Sequence, residues 1–330
     1  MSAADAGWAR EMPKRAPRVR SFAGWQRYAL PTALLVAILM FSLLRPTAFF
    51  SWTNASAVLT LAAPLLVASL GLTVALVLGE IDLSLESAIG LAGAIAVCLM
   101  SFLGVPWPAA ALSALVAGTL LGCLTGALVV RSGAESLIIT LGAATLLTGL
   151  EYLLTDQRTI YEGVADGYVA LGQSSVLGLN LQVWIAAGVA CLAHVGLERT
   201  EWGRAMYAAG DNAEASRLAG LPVSRLRVTG FAVAGGGAAL AGVLMTAQTA
   251  SSFSNAGQAY LLPAFAAAFL GSTASPTGRF SASGTVLAVL FIGVVQTGLT
   301  MLQLSTGAIN VAQGALLIGA VLLSRLGRPR

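Results

Sequence analysis

Apolar runs of membrane-crossing length, broken by short polar interruptions, fill nearly the whole chain, at residues 28–44, 57–78, 87–103, 109–130, 136–154, 183–197, 228–248, 257–271, 282–302 and 307–324. Each is long enough, as a helix, to cross most or all of a hydrocarbon layer about 30 Å thick. The pattern predicts an all-α polytopic membrane protein with about ten transmembrane helices. The shortest runs leave room for tilted, broken or re-entrant helices.

One interior stretch, Trp202 to Arg227, breaks the pattern with closely spaced charges of both signs. Its spacing predicts a short surface helix. Asp211 is placed as the N-cap and Glu214 as its N3 partner, so that each side chain satisfies a backbone N–H at the helix start. Arg217 falls in the last turn, where the helix dipole favours a cation. Gly220 suits the left-handed position after the helix, and Pro222 prevents continuation. The result is a rod of roughly eight residues, about 12 Å long. So short a helix is marginal alone. It is expected to lie on another protein.

Composition sets the class independently. Hydrophobic residues make up 57% of the chain, charged residues 10%, and mean hydropathy is +0.83. A soluble domain carries about 25% charge. The net charge of +4 therefore reports membrane orientation rather than nucleic-acid binding. With the N-terminus inside and ten spans, sixteen of the eighteen basic residues face the cytoplasm, and only Arg45 and Arg158 lie outside. Both termini are thus expected in the cytoplasm. The layout is a basic tail at 1–27, a permease domain at 28–324 with a cytoplasmic loop at 198–227, and a short tail at 325–330. No small-residue cleavage site follows the first run, which is expected to be retained. Cys98, Cys123 and Cys191 sit far apart in apolar runs and read as small buried hydrophobes.

Polar groups inside such a chain carry most of the information. Glu80, Asp82 and Glu86 fall within seven residues at the tight junction of the second and third runs. Asp82 or Ser84 can cap the third span, with Glu86 in its first turn. Capping alone and capping combined with a gating or pathway role both fit, since charge near a bilayer is costly. Gln296 and Asn310 in late spans either line a pathway or make packing hydrogen bonds. The mildly acidic segment from Thr155 to Gln182, with Tyr161 and Tyr168, is either a solvated connection or a surface for a soluble partner. Gly118, Gly122 and Gly126, and the cluster Gly235, Gly236, Gly237 and Gly242, point to close helix packing or self-association through one face.

Catalytic chemistry has no footing here. A Walker A loop needs a lysine beside its second glycine, and Lys14 in the tail is the only lysine. The single histidine, His194, excludes a His-Glu-x-x-His metal site, and no Gly-x-Ser-x-Gly occurs. No metal and no cofactor are expected.

Two segments resemble a family. Gly79-Glu80-Ile81-Asp82-Leu83-Ser84 is similar to the Gly-Gly-Ile-Asp-Leu-Ser motif of the ribose-type permeases of bacterial ABC importers. The run from Gly203 to Leu221 is similar to their Gly-Arg-x-x-x-Ala-x-Gly-x-Asn-x-x-Ala-Ala/Ser-Arg-x-x-Gly-Ile/Val segment. The resemblance extends over most of residues 55–325. It implies a polytopic inner-membrane protein that pairs with a second permease, identical or sister. It further implies that the chain accepts a sugar or polyol from an extracytoplasmic binding protein and couples to cytoplasmic ATP-binding cassette subunits. Gly210, Asn212, Arg217 and Gly220 match the coupling-helix positions, and Asp82 and Ser84 match the first motif. Two features depart from the pattern. Glu80 stands where the motif has glycine, and the glycine-rich segment near residue 271 is thinned to Gly271 and Gly278. An ion-gradient-driven transporter using Glu80, Asp82 and Glu86 is the competing expectation.

Overall fold

The computed structural model describes residues 23–275 and 278–326. The basic tail expected at 1–27 falls mostly outside them. Long helices dominate: α1 (Ala23–Leu44), α3 (Trp52–Val77), α4 (Leu85–Leu103), α5 (Trp107–Ser132), α6 (Ser136–Thr155), α8 (Leu181–Arg199), α11 (Val223–Thr249), α12 (Gln258–Thr273), α13 (Ala282–Met301) and α14 (Thr306–Leu326). Short helices α2 (Pro46–Phe49), α7 (Asp166–Gln173), α9 (Glu201–Asp211) and α10 (Ala213–Leu218) connect them. A two-residue hairpin, β1 (Ser175–Val176) with β2 (Leu179–Asn180), is the one sheet among the described residues. Each predicted apolar run falls on one long helix to within a residue. Seven of them, α3, α4, α5, α6, α8, α11 and α13, are long and apolar enough to cross a membrane.

Helix α11 is the axis of the fold, packed against α3, α4 and α5. Glycine makes this possible. A Cβ on Gly122 would collide with the carbonyl oxygen of Phe231 and lie 3.1 Å from Cα of Gly235, and one on Gly118 would lie 2.9 Å from the carbonyl oxygen of Gly235. The glycines of α5 and α11 thus meet each other within one chain, as close backbone contact between apolar helices requires. That face is consumed internally and is not available for self-association.

Cross-bundle contacts define two ends. At the far end Ile160 pairs with Ser252 in an isolated bridge, and Trp52 donates to the carbonyl of Gly178 at 3.2 Å. The segment after α6 is not the solvated connection its polarity suggests. Within it α7 turns inward, and the fully buried Tyr168 bonds Thr246 at 2.7 Å and the Val243 carbonyl at 3.1 Å. At the other end α9 and α10 sit beneath the ends of α3 and α11, as described below. The cysteines are free and unequal: Cys98 is buried, Cys123 partly so, and Cys191 exposed, against the expectation that all three are buried.

Candidate functional site at the α9–α10 elbow

Between Arg199 and Val223 the chain forms an elbow of two helices rather than one rod. Thr200 caps α9 by accepting from the Gly203 amide at 3.1 Å, and the helix continues through Asp211. The backbone turns extended at Asn212, whose side chain accepts from the Ala215 amide at 2.9 Å and caps α10. The expected cap at Asp211 is therefore displaced by one residue. Asp211 is helical, and its carboxylate instead takes Arg279 at 2.5 Å. Glu214 does not close a capping box, since it pairs with Arg217 at 3.0 Å on an exposed face. Gly220 has φ +84 and ends α10 as expected, with the Leu221 amide bonding back to Ser216 at 3.0 Å. α10 is six residues long, and it presents Leu218 at 83% exposure.

A non-glycine residue at such a φ is strained by about 1 kcal/mol. Gly220→Ala should therefore speed amide hydrogen exchange across α10 severalfold, with Gly220→Asn having the smaller effect. Equal exchange in wild type and Gly220→Ala would contradict the assignment.

The elbow is fixed to the bundle at three places. A Cβ on Gly210 would enter the carbonyl oxygen of Val77, so α9 crosses directly under the end of α3. Met206, Ala209, Val223 and Leu226 join Val74, Val77 and Leu78 in one buried cluster. On the third side Tyr207 donates to the Phe280 carbonyl at 2.7 Å, and Arg279 lies over its ring at 5.9 Å. Burial first, and then the charge of Glu198, push the Tyr207 phenol up to about 12, against the opposing effect of Arg279. Tyr207 therefore remains a donor across the physiological range. An open groove of about 480 Å³ runs between α9 and the α12–α13 connection, lined in part by Arg204, Tyr207 and Arg279.

The acidic stretch lies against this same end. Gly79 takes φ +79 and Glu80 is only 6% exposed, its carboxylate accepting from Arg227 in the second turn of α11. Residues 81–84 then run along α6. The Ile81 amide donates to Ser136 at 3.1 Å and the Leu83 amide to Thr140 at 3.1 Å, and Ser87 meets Thr148 at 2.9 Å. Thr140 and Thr148 lie about 6 and 18 Å along the helix axis from Ser136, and α4 begins between them, inside the bundle. Asp82, 3% exposed, uses one carboxylate oxygen to accept both the Ser84 amide at 2.9 Å and the Ser84 hydroxyl at 2.5 Å. Glu86 is half-buried at the start of α4 and makes no ion pair among the described residues. The three carboxylates thus have separate fates and form no shared ion site. Gln296 and Asn310 are exposed on the surface of the single chain, away from this cluster.

Asp82→Ala strips the acceptor from two buried donors of Ser84, a loss of about 1–3 kcal/mol. Asp82→Asn retains an acceptor oxygen in place and should lose far less. Thermal unfolding in detergent distinguishes them, and equal melting of the two variants would contradict this role.

Local sequence does not bring Arg227, Arg279, Tyr207, Ser136 and Thr140 together as one site. Ser136 and Thr140 repeat at helical spacing, a legible stripe. Arg227 and Arg279 entered only as topology charges.

The chain has relatives among known proteins. Residues 54–323 match the family described as branched-chain amino acid transport system / permease component. The ribose import permease of Haemophilus influenzae is 34% identical over 88% of this chain and 90% of its own length. The D-allose transport permease of Escherichia coli is 29% identical, covering 92% of each chain. An autoinducer 2 import permease of Salmonella paratyphi B is 32% identical over 90% of this chain and 92% of its own. No solved structure matches the chain. The chain belongs to this permease family, among the ribose-type permeases of bacterial ABC importers, as a multi-pass protein of the inner membrane.

Proposed function

We propose that this chain is the membrane-spanning subunit of an importer for a monosaccharide or related polyol, driven by separate ATP-binding cassette subunits that dock on α9 and α10. All ten long helices cross the bilayer in this reading, with both termini in the cytoplasm. The distribution of basic residues supports that orientation. The observation that carries the reading is the elbow itself. Its outer helix is capped, stopped and exposed, while its inner helix is fixed beneath α3, α11 and the α12–α13 connection. A push on α10 is transmitted to those helices as rigid-body movement, which alternates access to a central pathway. Asn212, Glu214, Arg217 and Gly220 shape the docked helix, and Gly210 and Asp211 seat it.

The ribose, allose and autoinducer 2 permeases among the relatives support a small hydroxylated cargo. A soluble extracytoplasmic binding protein delivers it at the far end. A second permease copy, identical or sister, completes the pathway. Asp82 and Ser84 set where α4 begins, and Glu86, which makes no ion pair among the described residues, presents an acceptor for cargo hydroxyls. Glu80 joins the gating segment to α11. Gln296 and Asn310 reach a pathway only where it is lined jointly with the second copy. The chain has no ATPase site of its own, and hydrolysis belongs to its partners.

Reconstitution tests this. Uptake into proteoliposomes should require ATP, the cassette subunit and the binding protein together. Uptake by the permease alone under an ion gradient would overturn the proposal.

A further inference from the structure

The route by which movement of the elbow reaches the interior is not given by the docking face alone. Residues 79–84 hang on α6 by the Ile81 and Leu83 amides and by Thr140, which also donates to the Ile81 carbonyl at 3.2 Å. Within that segment Glu80 is the one side chain that forms an ion pair among the described residues, and its partner Arg227 lies on α11. Arg227 is four residues beyond Val223, which belongs to the buried cluster holding α9 and α3 together. The pair therefore bridges the helix rooted in the elbow and the segment that leads to the deep start of α4. It is poorly hydrated, since the Glu80 side chain is 7% exposed and that of Arg227 30%. Separating two such groups is costly, because each is left without water or a counter-charge.

We infer that the Glu80–Arg227 pair is the mechanical link that carries elbow movement into the 79–84 segment and so to the mouth of α4. The inference rests on the ATP-driven reading above. Displacement of the α11 base draws Glu80 with it. Because the backbone beyond Glu80 is threaded along the hydroxyls of α6, the segment slides on that ladder rather than swinging free. Where the resembled motif has a second glycine, this chain has a charged side chain paired across the bundle. Glu80 and Arg227 act as positioning residues, and neither need touch cargo.

The measurement is substrate imported per ATP hydrolysed, in the reconstituted complex of permease, cassette subunit and binding protein. Glu80→Gln and Arg227→Gln should each keep ATP hydrolysis within about twofold of wild type while import per ATP falls about tenfold. The exchanged pair, Glu80→Arg with Arg227→Glu, should recover at least a third of the wild-type ratio. Import per ATP at the wild-type level in the single variants would overturn the inference. So would parallel loss of hydrolysis and import, which marks a merely structural pair. If a single variant fails to fold, the exchanged pair decides: a recovered ratio supports the link and an uncoupled one overturns it. A wild-type complex whose import ignores ATP would instead sink the underlying functional reading.

Discussion

Replacing Gly122 by leucine is expected to separate α5 from α11 and to lower the stability of the whole bundle. The Cβ alone would strike the Phe231 carbonyl oxygen and sit 3.1 Å from Cα of Gly235, both backbone atoms that cannot rotate away. Overpacking of this kind costs about 3 kcal/mol. In a chain of 330 residues that corresponds to a fall of roughly 4 °C in the melting temperature. Gly149 on α6 supplies the control, since nothing lies within 4 Å of a Cβ placed there. Gly149→Leu should melt with wild type in detergent. Equal destabilisation by both substitutions would show that the α5–α11 contact is not special.

Arg217→Glu is expected to leave folding and insertion intact while ATP-driven uptake falls at least a hundredfold. The Arg217 side chain is 64% exposed, and its ion pair with Glu214 lies on a similarly open surface. Such a pair contributes about 0.5 kcal/mol, and reversing a charge in the last turn of a short helix costs a similar amount. Neither loss unfolds a bundle whose core is elsewhere. At a docked interface the same reversal sets like charges together or leaves a partner unpaired, at several kcal/mol. Uptake should therefore collapse while the melting temperature stays within a degree or two. Normal uptake would remove α10 from the docking surface. Loss of uptake with loss of folded protein would move Arg217 into the structural framework.

Sequence pattern located the long helices because each depends on a local run of apolar residues. It placed Gly220 for the same reason, since a left-handed turn is a property of one residue and its neighbours. It misplaced the cap of α10 by one position because both Asp211 and Asn212 can cap. What decides between them is Arg279, 68 residues away, which draws the Asp211 carboxylate to itself. The acidic stretch misled in a similar way. Locally it reads as a helix cap with charges beside it or, in the competing reading, as one ion site, but Arg227, 147 residues on, takes Glu80. Asp82 turns inward to Ser84, and Glu86 makes no ion pair among the described residues. The start of α11 lies earlier than the apolar run suggests because Arg225 and Arg227 look like loop, although Val223 before them and Leu226 between them are buried. The segment after α6 looked solvated because its polarity conceals one deeply seated tyrosine. In every case the missing information was a contact between distant parts of the chain.

In the proposed complex the exposed tip of α10 meets a nucleotide-hydrolysing subunit in the cytoplasm. Leu218 is the residue to probe, since it is 83% exposed. A photo-crosslinking amino acid placed there, in the complex purified with its cassette subunit, should attach to that subunit and to little else, whereas the same probe at the far-end residue Leu177, 86% exposed, should not. Attachment from Leu177 instead, or labelling of position 218 by a membrane-impermeant reagent added outside intact cells, would contradict the account.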